Sequence, residues 1–112
     1  MQSIRESVEN TLAKEAKEVG ALAQSLDMDA VTDVVELLMN LRGKVIVSGC
    51  GTSGAAARKI AHTLCCIECP ALYLNPADAV HGGMGVACEG DVMILISKGG
   101  GTEEILKLVN GK

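Results

Sequence analysis

Aromatic residues are almost absent from this 112-residue chain: there is one tyrosine, Tyr73, and no phenylalanine or tryptophan. The interior therefore has to be built from Val, Ile, Leu, Ala, Met and Cys. The stacking platforms that hold single-stranded nucleic acids are missing too. So is a basic surface. Residues 1–42 carry eight acids and four bases, and residues 43–112 carry six of each, which puts the whole formal charge of −4 in the N-terminal arm. No basic stripe is available to neutralise a phosphate backbone, so no nucleic-acid partner is expected. No apolar run approaches the ~20 residues of a bilayer span, and no membrane association is expected. The N-terminus lacks the apolar core of a signal peptide, so the expected location is cytoplasmic. Proline is scarce as well: only Pro70 and Pro76 are present, against thirteen glycines. Chain reversals must therefore be sought at glycine. What remains is a chain 48 % hydrophobic, long enough for one domain and its core.

The cysteines, Cys50, Cys65, Cys66, Cys69 and Cys88, are odd in number. In a cytoplasmic chain they are expected as free thiols that pack as small hydrophobes. Cys66-x-x-Cys69, with His62 one helical turn earlier, has part of a zinc spacing. It lacks a second matched pair and straddles a helix end before Pro70, so no metal site is expected.

The densest signal is residues 44–54, KVIVSGCGTSG. Val45, Ile46 and Val47 form an unbroken β-branched run, the pattern of a strand covered on both faces. Gly49, Gly51 and Gly54 follow, with Thr52 and Ser53 between the last two, and then a helical pattern of Ala57, Ile60, Ala61, Leu64 and Cys65. Before this stretch, Ile4, Val8, Leu12, Ala16, Val19, Leu22 and Leu26 recur every three or four residues, predicting an amphipathic helix over 3–26. A second helix, capped by Asp27 or Asp29, carries Val34, Leu37, Leu38 and Leu41 and stops at Gly43. These helices predict a hairpin arm over 1–42, with its apolar stripe available for dimerisation. After it, residues 71–74 and 92–96 predict two more strands, the last reading as a strand with neighbours on both sides. That open edge calls for further chain or for another subunit. Residues 77–90 are ambiguous: Asp78 is a candidate cap for a short helix, and residues 81–85 read as irregular.

Strands alternating with helices predict an α/β fold, a parallel sheet flanked by helices, over 43–112. In such sheets ligands bind outside the strand carboxyl ends, and two glycine loops leave from those ends here. The first is Gly51-Thr52-Ser53. The second is Ser97-Lys98-Gly99-Gly100-Gly101-Thr102. Each offers hydroxyls beside helix-opening N–H groups that lack intrahelical partners and attract anions. Gly49-x-Gly51-x-x-Gly54 also satisfies the dinucleotide fingerprint. That fingerprint expects an acid near the end of the second strand, where this chain has Asn75. A phosphate monoester therefore ranks above NAD, and no cofactor is expected.

These residues resemble the sugar isomerase (SIS) domain family, most of all its arabinose 5-phosphate isomerases. The likeness runs over residues 43–109. It rests on Gly-x-Gly-x-Ser-Gly at residues 49–54, on Arg58-Lys59, on Asn75-Pro76 through Ala79-Val80-His81-Gly82, and on a Ser-x-x-Gly loop followed by Glu104-Ile105. The resemblance implies the N-terminal portion of a three-layer SIS sandwich, with a phosphosugar as partner and a homo-oligomeric state. It implies phosphate contacts from Gly51, Thr52, Ser53, Ser97, Lys98 and Thr102. It also implies catalytic roles for Glu104 and His81 in moving a proton between C1 and C2 through an enediol. A carboxylate suits that task when burial brings its pKa toward neutrality, and a histidine suits ring opening. Three positions depart from the family pattern. Thr52 replaces a lysine, Gly99 a serine and Gly101 a frequent glutamate. The family's sheet also continues with strands beyond those present, which carry its remaining candidate catalytic residues. An isomerase is thus the first expectation, a phosphosugar sensor without turnover the second, and a dinucleotide-binding domain the third.

Overall fold

The structure, a computed structural model, describes residues 1–99 together with Glu103 and Leu106. The chain divides into two compact units, Met1–Met39 and Asn40–Lys112.

The first unit holds helices α1 (Ile4–Ser25) and α2 (Met28–Met39). A capping box opens α1. The Ser3 hydroxyl accepts from the Glu6 N–H at 3.1 Å, and the Glu6 carboxylate accepts from the Ser3 N–H at 2.9 Å. Asp27, rather than Asp29, caps α2 by accepting from the Ala30 N–H. The second helix ends at Met39 instead of running to Gly43. Asn40 follows it, a residue type that often stands just past a helix end. Neither helix contributes a buried residue. The apolar stripe of α1 stands open, with Ile4, Val8, Leu12, Val19, Leu22 and Leu26 between 44 % and 86 % exposed.

The second unit is built on a parallel sheet of order β2-β1-β3, formed by β1 (Val45–Gly49), β2 (Ala71–Tyr73) and β3 (Val92–Ile96). The central strand is the most deeply buried, and Val45, Ile46, Val47 and Ser48 have no exposed surface. Among the described residues β3 pairs with β1 alone and is half-buried throughout. Helix α3 (Thr52–Cys66) joins β1 to β2 and buries Gly54, Ala57 and Ala61. Those small residues let the helix backbone approach the sheet closely. Ile46, Leu74 and Ala79 form the core cluster, with Leu72, Met84, Ala87, Met93 and Leu95 packed against it. It contains no aromatic ring.

Between β2 and β3 the chain is more ordered than its sequence predicts. The short helix α4 (Pro76–Ala79) is capped by Asn75, whose side-chain oxygen accepts from the Ala77 N–H at 2.9 Å. Asp78, the expected cap, lies inside the helix. Proline at the first helical position explains the shift, because it needs no N–H there and its φ is already helical. Gly83–Val86, expected to be irregular, forms a 3-10 turn.

The thiols depart further from expectation. Cys65, Cys66 and Cys88 are exposed, and Cys50 and Cys69 are only partly covered. Cys65 stands in the last turn of α3, where its Sγ donates to the Ala71 carbonyl at 3.2 Å. Cys66 lies off the sheet-facing side, 3.6 Å from the His62 Nε2. Among the described residues no three His, Cys, Asp or Glu side chains cluster for a metal ion.

At the opposite end of the sheet from the glycine loops, Asp91 ties β1 to β3. One of its carboxylate oxygens accepts from the Lys44 N–H at 2.9 Å. The other accepts from the Lys44 ammonium at 2.6 Å and from the Cys88 N–H at 2.8 Å. The Lys44 ammonium and the backbone donors hold the Asp91 carboxyl down at about 2, from an ordinary 3.8. A lowered carboxylate pKa contributes stability above the unfolded value and loses it as pH falls through the folded one. The melting temperature of the wild type is therefore expected to fall progressively between about pH 4 and pH 2. Asp91→Asn should flatten that part of a melting-temperature–pH profile.

Candidate functional site

All three strands run in parallel, so their carboxyl ends lie on one edge. Gly49 pairs with Ile96, so residues 50–53 and 97–99 leave from adjacent positions on neighbouring strands, about 4.8 Å apart. On the other side of β1, Val47 pairs with Tyr73, and the Leu74 N–H donates to the Val47 carbonyl at 2.9 Å. Residues 75–81 follow there. Three connections thus emerge at one edge: the first glycine loop in the centre, the Ser97 loop on one flank and the His81 segment on the other.

Close packing shapes the first loop. A Cβ on Gly49 would lie 2.8 Å from the Ser53 carbonyl oxygen and 3.0 Å from that of Ile96. A Cβ on Gly54 would lie 2.7 Å from the Gly49 carbonyl oxygen. The first turn of α3 therefore sits directly against the end of β1. Gly51 caps the helix with φ 58°, in the left-handed region where a side chain is strained. It leaves the helix without a side-chain cap. The Gly54 and Ala55 N–H groups donate to the Cys50 and Gly51 carbonyls. Thr52 and Ser53 precede these bonds as the first two helical residues, where N–H groups lack intrahelical acceptors and the helix dipole favours negative charge.

The expected site residues fall as follows. Thr52 is exposed and Ser53 half-buried at the start of α3. Ser97 is half-buried immediately after β3, and Lys98 beside it is exposed. His81 is exposed after α4, its N–H donating to the Asp78 carbonyl at 3.1 Å. Thr102 and Glu104 lie outside the described residues. Asn75, where the dinucleotide fingerprint expects an acid, spends its side-chain oxygen on capping α4.

Two polar side chains not singled out from the sequence stand at the same edge. Ser48, buried in β1, donates from Oγ to the Leu74 carbonyl at 2.5 Å. Tyr73 donates from its hydroxyl to the Gly49 carbonyl at 3.0 Å, and the Arg58 guanidinium lies 4.5 Å above its ring. The available signals were a lone serine in a β-branched run and the lone aromatic residue.

The SIS domain matches this chain over residues 37–112. The chain belongs to the SIS domain family. Its sheet, its two flanking glycine loops and its N-terminal helical region agree with that membership. The arabinose 5-phosphate isomerase KpsF of Escherichia coli is 44 % identical over 103 residues, covering 92 % of this SIS chain and 32 % of KpsF. GutQ of Escherichia coli K12, also an arabinose 5-phosphate isomerase, is 40 % identical over 95 residues. The chain thus spans about a third of the length of the curated relatives it matches. Among solved structures, a Bacteroides fragilis protein assigned as a phosphosugar isomerase of capsule formation superposes with a TM-score of 0.86 at 36 % identity. That match covers 96 % of this chain and 57 % of the other. The Escherichia coli CFT073 protein c3406, solved in complex with a phosphosugar, superposes with a TM-score of 0.80 at 28 % identity. It covers 98 % of this chain and 60 % of its own.

Proposed function

We propose that this chain is the N-terminal part of an aldose–ketose isomerase of sugar phosphates. In this reading residues 43–112 form part of the phosphosugar-binding domain and residues 1–42 form an arm. The observation that carries the reading is the convergence of the turn over residues 51–53 and the Ser97 loop at one carboxyl edge, in a chain closely similar to arabinose 5-phosphate isomerases. Phosphate is held by the Gly51, Thr52 and Ser53 groups from one side and by Ser97, Lys98 and Thr102 from the other. His81 assists ring opening. Glu104 takes the proton from the carbon beside the carbonyl, the electrons pass into an enediol, and the proton returns to the neighbouring carbon. No metal or organic cofactor enters this scheme. The working location is cytoplasmic.

The arm supports a further part of the reading, a homo-oligomer. Its apolar stripe spans the length of α1, a helix of 22 residues or roughly 33 Å, and has no cover within its own unit. Sedimentation across a concentration series tests the assembly, and a monomer at every concentration would remove it.

Thr52 favours a second reading, a sensor that binds phosphosugar without turnover, because it puts a neutral hydroxyl where the resembling isomerases have a lysine. A thermal-shift series of phosphosugars beside NAD, followed by a turnover assay, separates the readings. Stabilisation by phosphosugars but not NAD supports binding, and turnover then decides between enzyme and sensor. Stabilisation by NAD alone would overturn both.

Ser53→Ala combined with Thr102→Ala is expected to weaken phosphosugar binding about tenfold or more while the fold persists. A hydrogen bond to a charged group contributes roughly 1.5–3 kcal/mol, so losing the equivalent of one reaches a factor of ten. Calorimetry showing unchanged affinity in the folded double variant would eliminate this phosphate site.

A further inference from the structure

The backbone ladder between β1 and β2 ends at Val47 and Tyr73, yet the two strands stay tied beyond it. The tie consists of two side-chain bonds running in opposite directions. The Ser48 hydroxyl, on β1, reaches the Leu74 carbonyl at the start of the segment leading to His81. The Tyr73 hydroxyl, on β2, reaches the Gly49 carbonyl at the start of the glycine turn. Each strand end is therefore held by a hydroxyl borrowed from its neighbour.

We infer that Ser48 and Tyr73 are positioning residues that lock the phosphate-binding turn to the His81 segment and so set the distance between the two parts of the site. The inference rests on the phosphosugar reading for its consequence in binding, but its geometry does not. Ser48 is completely buried, so its hydroxyl has no water to fall back on, and it spends its proton on the Leu74 carbonyl. Removing that donor strips a buried carbonyl of a hydrogen bond as well. Tyr73 acts at the most crowded point of the turn. Its hydroxyl oxygen lies 3.2 Å from where a Gly54 Cβ would stand, and it bonds the same Gly49 carbonyl against which Gly54 packs. Arg58 over the ring steadies the side chain from the solvent side. Neither hydroxyl is free to bond a substrate while it holds its carbonyl. Their effect on a bound phosphosugar is therefore indirect, through the placement of Thr52 and Ser53 on one side and of His81 on the other.

Tyr73→Phe isolates the second bond, because a phenyl ring still lies beneath Arg58. Ser48→Ala isolates the first, and Ser48→Cys retains a weaker donor at similar size. The test reads the full-length protein in two ways. Amide hydrogen exchange follows the turn (residues 51–54) and the His81 segment (residues 77–81), and calorimetry follows phosphosugar affinity. Tyr73→Phe is expected to raise exchange in the turn and Ser48→Ala in the His81 segment, with the middle of α3 unchanged. Each should weaken phosphosugar binding about three- to tenfold, and Ser48→Cys should recover part of the loss. Unchanged local exchange in folded variants overturns the lock. Faster local exchange with unchanged affinity overturns its positioning role. Uniformly faster exchange through α3 shows a merely structural contribution and also overturns the proposal. A wild type that binds no phosphosugar would instead overturn the functional reading, leaving the exchange measurements to decide the lock by themselves.

Discussion

Glu104→Gln in the full-length protein is expected to lower turnover of a sugar phosphate by a factor of about 10² to 10⁴, the range general acid–base catalysis supplies, while phosphosugar affinity changes little. The substitution keeps the size and hydrogen-bonding capacity of the side chain and removes only its ability to accept and return a proton. An enediol route needs that ability at one position for both half-steps, since the same group takes a proton from one carbon and delivers it to the next. Binding depends on the phosphate contacts of the two glycine loops instead. Steady-state kinetics beside calorimetry separates the effects. Equal turnover in the variant would remove Glu104 from the proton path. Unmeasurable turnover in the wild type, with phosphosugar binding retained, would favour the sensor.

The most legible part of the fold was the part whose burial is total. The run Val45-Ile46-Val47 announces a doubly covered strand because no polar residue interrupts it, and the glycines after it announce close approach. Legibility fell where local chemistry offers equivalent choices. Asn75 and Asp78 are both good caps, and Pro76 was the tie-breaking residue. It fell further where the answer depends on how far one element overruns another. Periodicity assigned Cys65 to the covered face of α3 without showing that the helix's last turn lies at the margin of the sheet. Strand partners are least local of all. Ser48 and Tyr73 are 25 positions apart in the chain, and only the parallel register brings their hydroxyls to each other's carbonyls. The site was legible as chemistry, two hydroxyl-bearing loops, and half of it as geometry. Thr102 and Glu104, which lie outside the described residues, rest on the resemblance.

Alanine substituted for glycine is expected to act in opposite directions at two helical positions. Gly20 lies inside α1, exposed, with nothing within 4 Å of a built Cβ. There Gly20→Ala should increase helix stability by roughly 0.5–1 kcal/mol, because it reduces the backbone freedom lost on folding and creates no clash. Gly54 is also helical, its φ is not in the left-handed region, and the same entropic gain applies. Its new Cβ, however, would stand 2.7 Å from the Gly49 carbonyl oxygen. That oxygen belongs to backbone, not to a flexible side chain, and the Tyr73 hydroxyl also holds it. Relief requires α3 to lift from the sheet or the Tyr73 bond to lengthen. Overpacking of this kind costs about 1–3 kcal/mol, which exceeds the propensity gain over most of its range. Gly54→Ala should therefore lower the melting temperature where Gly20→Ala raises helix content. It should also weaken phosphosugar binding more than its loss of stability alone predicts, because the displaced turn is the one that carries Thr52 and Ser53. Melting curves and calorimetry on both variants test this. A Gly54→Ala protein as stable and as tightly binding as the wild type would mean that the helix start and the end of β1 are not in the close contact described.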